Sequence, residues 1–197
     1  MHIEANQLYH IYNQGNNEEK IFYTEKDYAL FMDYFRKSVH LFCKTLAWCL
    51  MPNHFHFLIY STESSATSVR LGNISSTQLS NAYRVLQSAY AQHINYREGR
   101  RGSLFRQKAK AKCLDEDNNG QYPLIAFHYI HQNPLKAGLV KDLEEWAYSS
   151  YIEYADWCDE SLCDKELAEQ LIGFERGRIK EDTLQMIDES RVQKMLY

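Results

Sequence analysis

Residues 41–60 read LFCKTLAWCLMPNHFHFLIY. Two apolar runs flank a Pro52–Asn53 pair, a combination that favours a turn and ends regular structure. The spacing predicts an antiparallel hairpin with strands over 41–50 and 54–60. Side chains alternate across a strand, so His54 and His56 point to one face while Phe55 and Phe57 point to the other, toward a core. Two imidazoles on one face can converge on a cation, since neutral imidazole is a common metal ligand. They also suit the wet side of a sheet, and two ligands do not complete a site. Cys43 and Cys49 lie close in sequence, but their spacing to the histidines matches no zinc pattern. Six residues apart on one continuous strand, they would share a face about 20 Å apart, too far for one tetrahedral site.

Working outward, LYHIYNQG (8–15) alternates and ends in glycine, so a strand and a turn are expected. Thr24 can cap a following helix in which Leu30, Phe31, Tyr34 and Phe35 share a face. The Ser/Thr-rich segment 61–77 reads as a flexible loop. Leu79, Ala82, Tyr83, Leu86, Ala89, Tyr90 and Ile94 then keep helical rhythm to about Tyr96, before Gly99. After EGRRGS, the alternating LFRQKAKAKCL (104–114) predicts a strand with Lys108, Lys110 and Lys112 on one face. A last clear helix fits 121–132, with Pro123 in its first turn and its end at HQNP.

Strand, helix, strand, strand, helix, strand, helix is the order of an α+β fold. The expected architecture is a ferredoxin-like split βαβ antiparallel sheet with helices on one face, plus a helical C-terminal extension. The expected division is a catalytic domain over 1–155 and an acidic extension over 156–197.

The 197 residues carry a net charge of −4, but residues 97–112 hold seven Lys/Arg against one Glu, a local +6. The rest is therefore −10, most of it in residues 142–197. A cationic stripe on an acidic body is either a solvated hairpin or an anion-binding surface. No apolar stretch is long enough to span a membrane. The N-terminus MHIEANQLYH lacks the basic start and apolar run of a signal peptide, and five cysteines without regular spacing form no disulfide framework. A reduced, cytoplasmic protein is expected.

In FHYIHQNPLKAGLV (127–140), Tyr129 and Asn133 are four apart and fall on one helical face, with Phe127 and Ile130 turned elsewhere for packing. An amide oxygen suits a hard cation. The same pair would equally serve as a half-buried tyrosine and a helix-terminal asparagine.

Taken together, YHIYNQGNN (9–17), MPNHFHFL (51–58), GSLFRQKAK (102–110), YIHQNPLKAGLV (129–140) and WAYSSY (146–151) resemble the single-tyrosine HUH transposases, most closely the REP-associated tyrosine transposase branch. The resemblance covers about residues 7–155. It implies that His54 and His56 ligate a divalent metal, Mg²⁺ or Mn²⁺, that Tyr129 is the nucleophile, and that Asn133, where many relatives have Gln, completes the metal site. The implied reaction is cleavage and rejoining of single-stranded, hairpin-forming DNA through a 5′-phosphotyrosine. A phenol is a fair leaving group, so the covalent bond conserves the energy for rejoining. Phenol ionises near pH 10, so its proton needs help to leave; His128 and His131 are candidate bases by sequence proximity alone. Arg100, Arg101, Arg106, Lys108, Lys110 and Lys112 would follow the phosphate backbone, and Tyr12, Tyr83 and Tyr90 are candidates for base stacking, the last two on an apolar helix face suited to the core. Relatives of this kind act as dimers or monomers, which leaves a homodimer open. Three other readings fit the same residues: a domesticated DNA-binding protein of this fold without strand transfer, a metal-dependent phosphoester hydrolase, and an HUH replication-initiation or relaxase protein, a class usually found in longer chains. The first would not need Tyr129, His54 and His56, and the second would not need Tyr129 or the basic stripe.

Overall fold

The computed structural model describes residues 1–115, 120–155, 161–185 and 192. Four strands form its main sheet: β1 (Leu8–Gln14), β2 (Cys43–Met51), β3 (His54–Ser61) and β6 (Lys110–Cys113), in the order β2-β3-β1-β6 with every neighbouring pair antiparallel. This is the expected split βαβ pattern. The hairpin turns at Pro52–Asn53, which places His54 opposite Met51 and His56 opposite Cys49.

Two helices cover one face. α1 (Glu25–Tyr34) begins at Thr24, whose side chain and that of Asp27 cap each other's backbone N–H groups. α3 (Gln78–Arg97) is capped by Thr77. Phe31, Phe35 and Tyr83 from this layer meet Phe55 and Phe57 of β3, with Tyr90 packed on Phe31 and Phe35 stacked on Phe57 at 4.2 Å between centroids. Tyr83 and Tyr90 are completely buried, so they belong to the core, as their helical face implied, and cannot stack on bases. Asp27 links the layer: its carboxylate accepts the Tyr23 and Thr24 amides and pairs with Arg97 at the far end of α3.

The opposite face is covered too, by α4 (Tyr122–Lys136), which packs against β2 and β3. The helices therefore lie on both faces rather than one. α4 also runs four residues past its expected end, through Pro134. The proline removes one helical donor near the terminus, and hydrogen bonding resumes directly: Ala137 N reaches Asn133 O and Leu139 N reaches Pro134 O. Burial of Ile130, Asn133 and Pro134 overrides the local preference against helix before proline.

Other expectations need correction. Segment 61–77 is not a flexible loop; it folds as a short helix, α2 (Glu63–Ala66), and a hairpin of β4 (Ser68–Leu71) and β5 (Ile74–Thr77). Its two-residue turn contains Gly72 at φ +62°, an angle that favours glycine. The basic strand is only four residues long, because 106–109 form an irregular approach to it. The β-bulge between Thr45 and Ala47 shifts alternation by one, so Cys43 pairs with Ser61 and Cys49 with His56. By register the two cysteines face opposite sides of the sheet.

Beyond α4, residues Tyr148 to Ser150 run along the outer edge of β2, with Ser150 N bonded to Trp48 O and Leu50 N to Tyr148 O. This covers an edge that would otherwise invite pairing with another chain. α5 (Tyr151–Tyr154), α6 (Lys165–Ile172) and α7 (Ile179–Gln185) complete the described C-terminal part. α6 and α7 pack on α4, where Phe174 stacks on Phe127 and Thr183 bonds His128. The expected boundary after residue 155 adjoins 156–160, which lie outside the described residues.

Candidate active site

β1, β3 and β6 bring their even-numbered residues to the face under α4. His10 and Tyr12 come from β1, His54 and His56 from β3, and Lys110 and Lys112 from β6, with Tyr12 opposite both His56 and Lys110. α4 lays Tyr129 over them: its ring centroid lies 5.5 Å from that of His56 and 6.5 Å from that of His10, edge to face in both cases. A cleft of about 370 Å³ opens here, lined by Tyr12, His54, His56, Lys110, Tyr129 and Asn133 together with Arg106, Gln107 and Lys108. Elements over a hundred residues apart in the chain thus meet at one point.

Each ring is oriented by a neighbour. His54 Nδ1 lies 2.6 Å from Asn53 Oδ1, and the Asn133 side chain lies against the same ring. Asn133 commits its amide nitrogen to the Tyr129 carbonyl at 2.8 Å, so its oxygen is the end turned toward His54. His56 Nδ1 lies 2.9 Å from His10 Nε2, while His56 Nε2 is buried and has no hydrogen-bond partner among the described residues. Desolvation lowers the pKa of His10 to about 3, that of His54 to about 4 despite the Asn133 contact, and that of His56 well below its ordinary value. All three imidazoles are neutral near pH 7, the form that can ligate a cation.

This arrangement fits a divalent cation. His56 offers an unpartnered ring nitrogen, and His54 with Nδ1–H given to Asn53 offers a lone pair beside an amide oxygen. Two acceptors facing each other need a proton or a cation between them. Among the described residues no cluster of three His, Cys, Asp or Glu side chains could hold a metal; the amide of Asn133 lines the same cleft as the two histidines.

The six basic residues singled out from the sequence separate into two groups. Arg106, Lys108 and Lys110 line the cleft, and Lys110 Nζ sits 5.8 Å above the Tyr12 ring. Lys112 follows on β6 opposite His10. Arg100 is tied elsewhere, to Glu19 at 2.6 Å and the Tyr23 hydroxyl at 2.7 Å, and Arg101 is exposed outside the cleft. His128 and His131 are turned away from Tyr129. Their rings bond Thr183 and Ser150, each at 2.8 Å, which removes both as bases for the phenol.

Sequence reasoning missed His10, Asn53 and Gln107. His10 was visible only as an apolar-strand residue in LYHIYNQG; the β1–β3 register is what delivers it to His56. Gly15 ends that strand where a Cβ would collide with the Glu19 carbonyl, and its amide bonds Asn53 O at 2.7 Å. This close approach fixes the end of β1 beside the hairpin turn that carries Asn53 and His54.

No protein-family profile matches the sequence, and no curated protein does. Among solved structures, the chain is similar to a REP-associated tyrosine transposase bound to a REP hairpin. The TM-score is 0.54 at 14% identity, covering 82% of this chain and 86% of that one. The likeness is one of fold. Among the described residues no helix is long and apolar enough to cross a membrane.

Proposed function

We propose that the protein cleaves and rejoins single-stranded, hairpin-forming DNA, with Tyr129 as nucleophile and His54, His56 and Asn133 as the ligands of Mg²⁺ or Mn²⁺. The observation that carries this reading is the convergence of Tyr129, the two histidines and three cations in one cleft. The neighbouring fold supports it, because that transposase was solved with a DNA hairpin.

Arg106, Lys108 and Lys110 would hold the backbone on either side of the scissile phosphate, neutralising charge that otherwise repels an acidic protein. Tyr12 offers a half-buried ring at the cleft wall for an unstacked base. When bound, the cation would orient the phosphate and stabilise the charge that develops on it. Tyr129 is half-buried and lines the cleft that the strand would enter. Its oxygen forms the bond to phosphorus, the phenolic proton is lost, and the DNA 3′-oxygen departs as a hydroxyl, leaving a 5′-phosphotyrosine. Attack by a 3′-hydroxyl on that linkage rejoins a strand and restores the phenol.

The test is a cleavage assay with Mn²⁺ or Mg²⁺ and single-stranded hairpins from the flanks of the protein's own gene, resolved on a denaturing protein gel beside Tyr129→Phe. A DNA-linked protein band that needs metal and vanishes in the variant is expected. Cleavage that survives in Tyr129→Phe would point instead to a metal-dependent hydrolase. Salt-sensitive binding without cleavage would point to a domesticated binder.

A further inference from the structure

His10 is the least expected residue of the site: a histidine with no exposed surface, on the central strand, not required by the chemistry above. Its Nε2 lies 2.9 Å from His56 Nδ1, with ring centroids 5.0 Å apart and planes 16° apart. At that separation, rings joined at 2.9 Å lie side by side, nearly in one plane, with the hydrogen bond along the line between them. At 2.9 Å the two nitrogens share a single proton. Its owner decides what His56 presents to the cleft.

If His10 owns the proton, His56 carries its own hydrogen on Nε2 and shows the cleft a donor, which no cation can use. If His56 owns it, Nδ1–H points to His10 and the Nε2 lone pair faces the cleft. His54 shows which arrangement the site is built for. Its Nδ1 is held by the Asn53 amide oxygen, an acceptor that can only receive a proton, so its Nε2 is the bare nitrogen. His10 stands in the same relation to His56 as Asn53 does to His54.

We infer that His10 is a positioning residue: it accepts the Nδ1–H of His56, fixes that tautomer and ring plane, and so aims the His56 Nε2 lone pair at the cation. This rests on the proposed metal site. Partners of this kind commonly change metal affinity by about 10- to 100-fold when removed.

The experiment has two arms on the full chain. In the first, Mn²⁺ binding is measured by calorimetry for the wild type, His10→Phe and His10→Gln. Phenylalanine keeps the ring and loses the acceptor; glutamine places an amide oxygen near the position of Nε2. The expected result is a Kd weakened about tenfold or more by His10→Phe and largely restored in His10→Gln. Equal Kd values for wild type and His10→Phe would overturn the role of His10 and leave the metal site standing. Absence of Mn²⁺ binding by the wild type would overturn the metal site and this role with it. In the second arm, long-range ¹H–¹⁵N spectra of the Mg²⁺-loaded wild type read the His56 tautomer directly, whether or not the variants fold. A proton on Nδ1 is expected, and a proton on Nε2 would refute the assignment.

Discussion

Replacing Arg106, Lys108 and Lys110 together with glutamine should change the salt dependence of DNA binding, whereas replacing Arg100 should not. The two sites belong to the same run of positive charge in the sequence, but the fold treats them differently. Three cations line the cleft; Arg100 has its guanidinium occupied by Glu19 and Tyr23. Each phosphate neutralised on a single strand contributes about −0.7 to the slope of log K against log salt. Three contacts therefore give a slope of about −2, so raising salt from about 50 to about 200 mM should weaken wild-type binding roughly 20-fold through these contacts. Fluorescence anisotropy with a labelled single-stranded hairpin, repeated over a KCl series, reads the slope directly. The triple variant should have a slope shallower by about 2, and Arg100→Gln should keep the wild-type slope. The reasoning fails if Arg100→Gln flattens the slope as much as the triple variant does. That result would mean the strand follows the whole basic segment and that the Glu19 pair opens to let it.

Three further outcomes are expected. Tyr90→Phe removes a buried hydroxyl that donates to Ile21 O at 2.7 Å and should cost about 1 to 2 kcal/mol, while Tyr83→Phe removes one with no partner among the described residues and should be neutral or stabilising by about 1 kcal/mol; urea titrations of the pair would refute this if their order were reversed. Burial alone would raise the Asp27 pKa, but Arg97 and two backbone amides outweigh it and hold the carboxyl below its ordinary value. Its contribution is therefore complete above about pH 4 and lost as pH falls through the lower folded value. Asp27→Asn should cost about 2 kcal/mol at neutral pH, moderated because Arg97 is partly exposed. Thermal melts down to acid pH should show the variant losing less stability than the wild type. Asn133→Ala should weaken Mn²⁺ binding about tenfold or more by calorimetry, and Asn133→Asp should tighten it, because a carboxylate is the better ligand for a hard cation; unchanged affinity in both would remove Asn133 from the site.

Much of the scaffold was legible from periodicity. The hairpin, the capped α1 and the apolar face of α3 follow from alternation and helical spacing, because those residues pack where their local pattern points. The misreadings arose where a long-range contact overrode a local rule. The Ser/Thr composition of 61–77 suggested a loop, although Gly72–Asn73 is a two-residue hairpin turn between short strands. Charge density grouped Arg100 with Lys108, and only the fold reveals that one folds back on Glu19 while the other reaches the cleft.

The site itself shows why a motif is less than its geometry. His54 and His56 share a face by alternation, but which nitrogen each presents depends on Asn53, one residue away, and on His10, on another strand. Tyr129 and Asn133 share a face only if the helix persists to Asn133. The proline that follows suggested an earlier end; α4 instead continues through it, with residues Ile130 to Pro134 buried. Had the helix ended at residue 132, Asn133 would have left the helical register that carries its amide back to the Tyr129 carbonyl and its oxygen to His54. Burial of Ile130, His131 and Pro134 thus holds the third candidate ligand in place. The tertiary packing that defeats the local rule at Pro134 is therefore what completes the cleft.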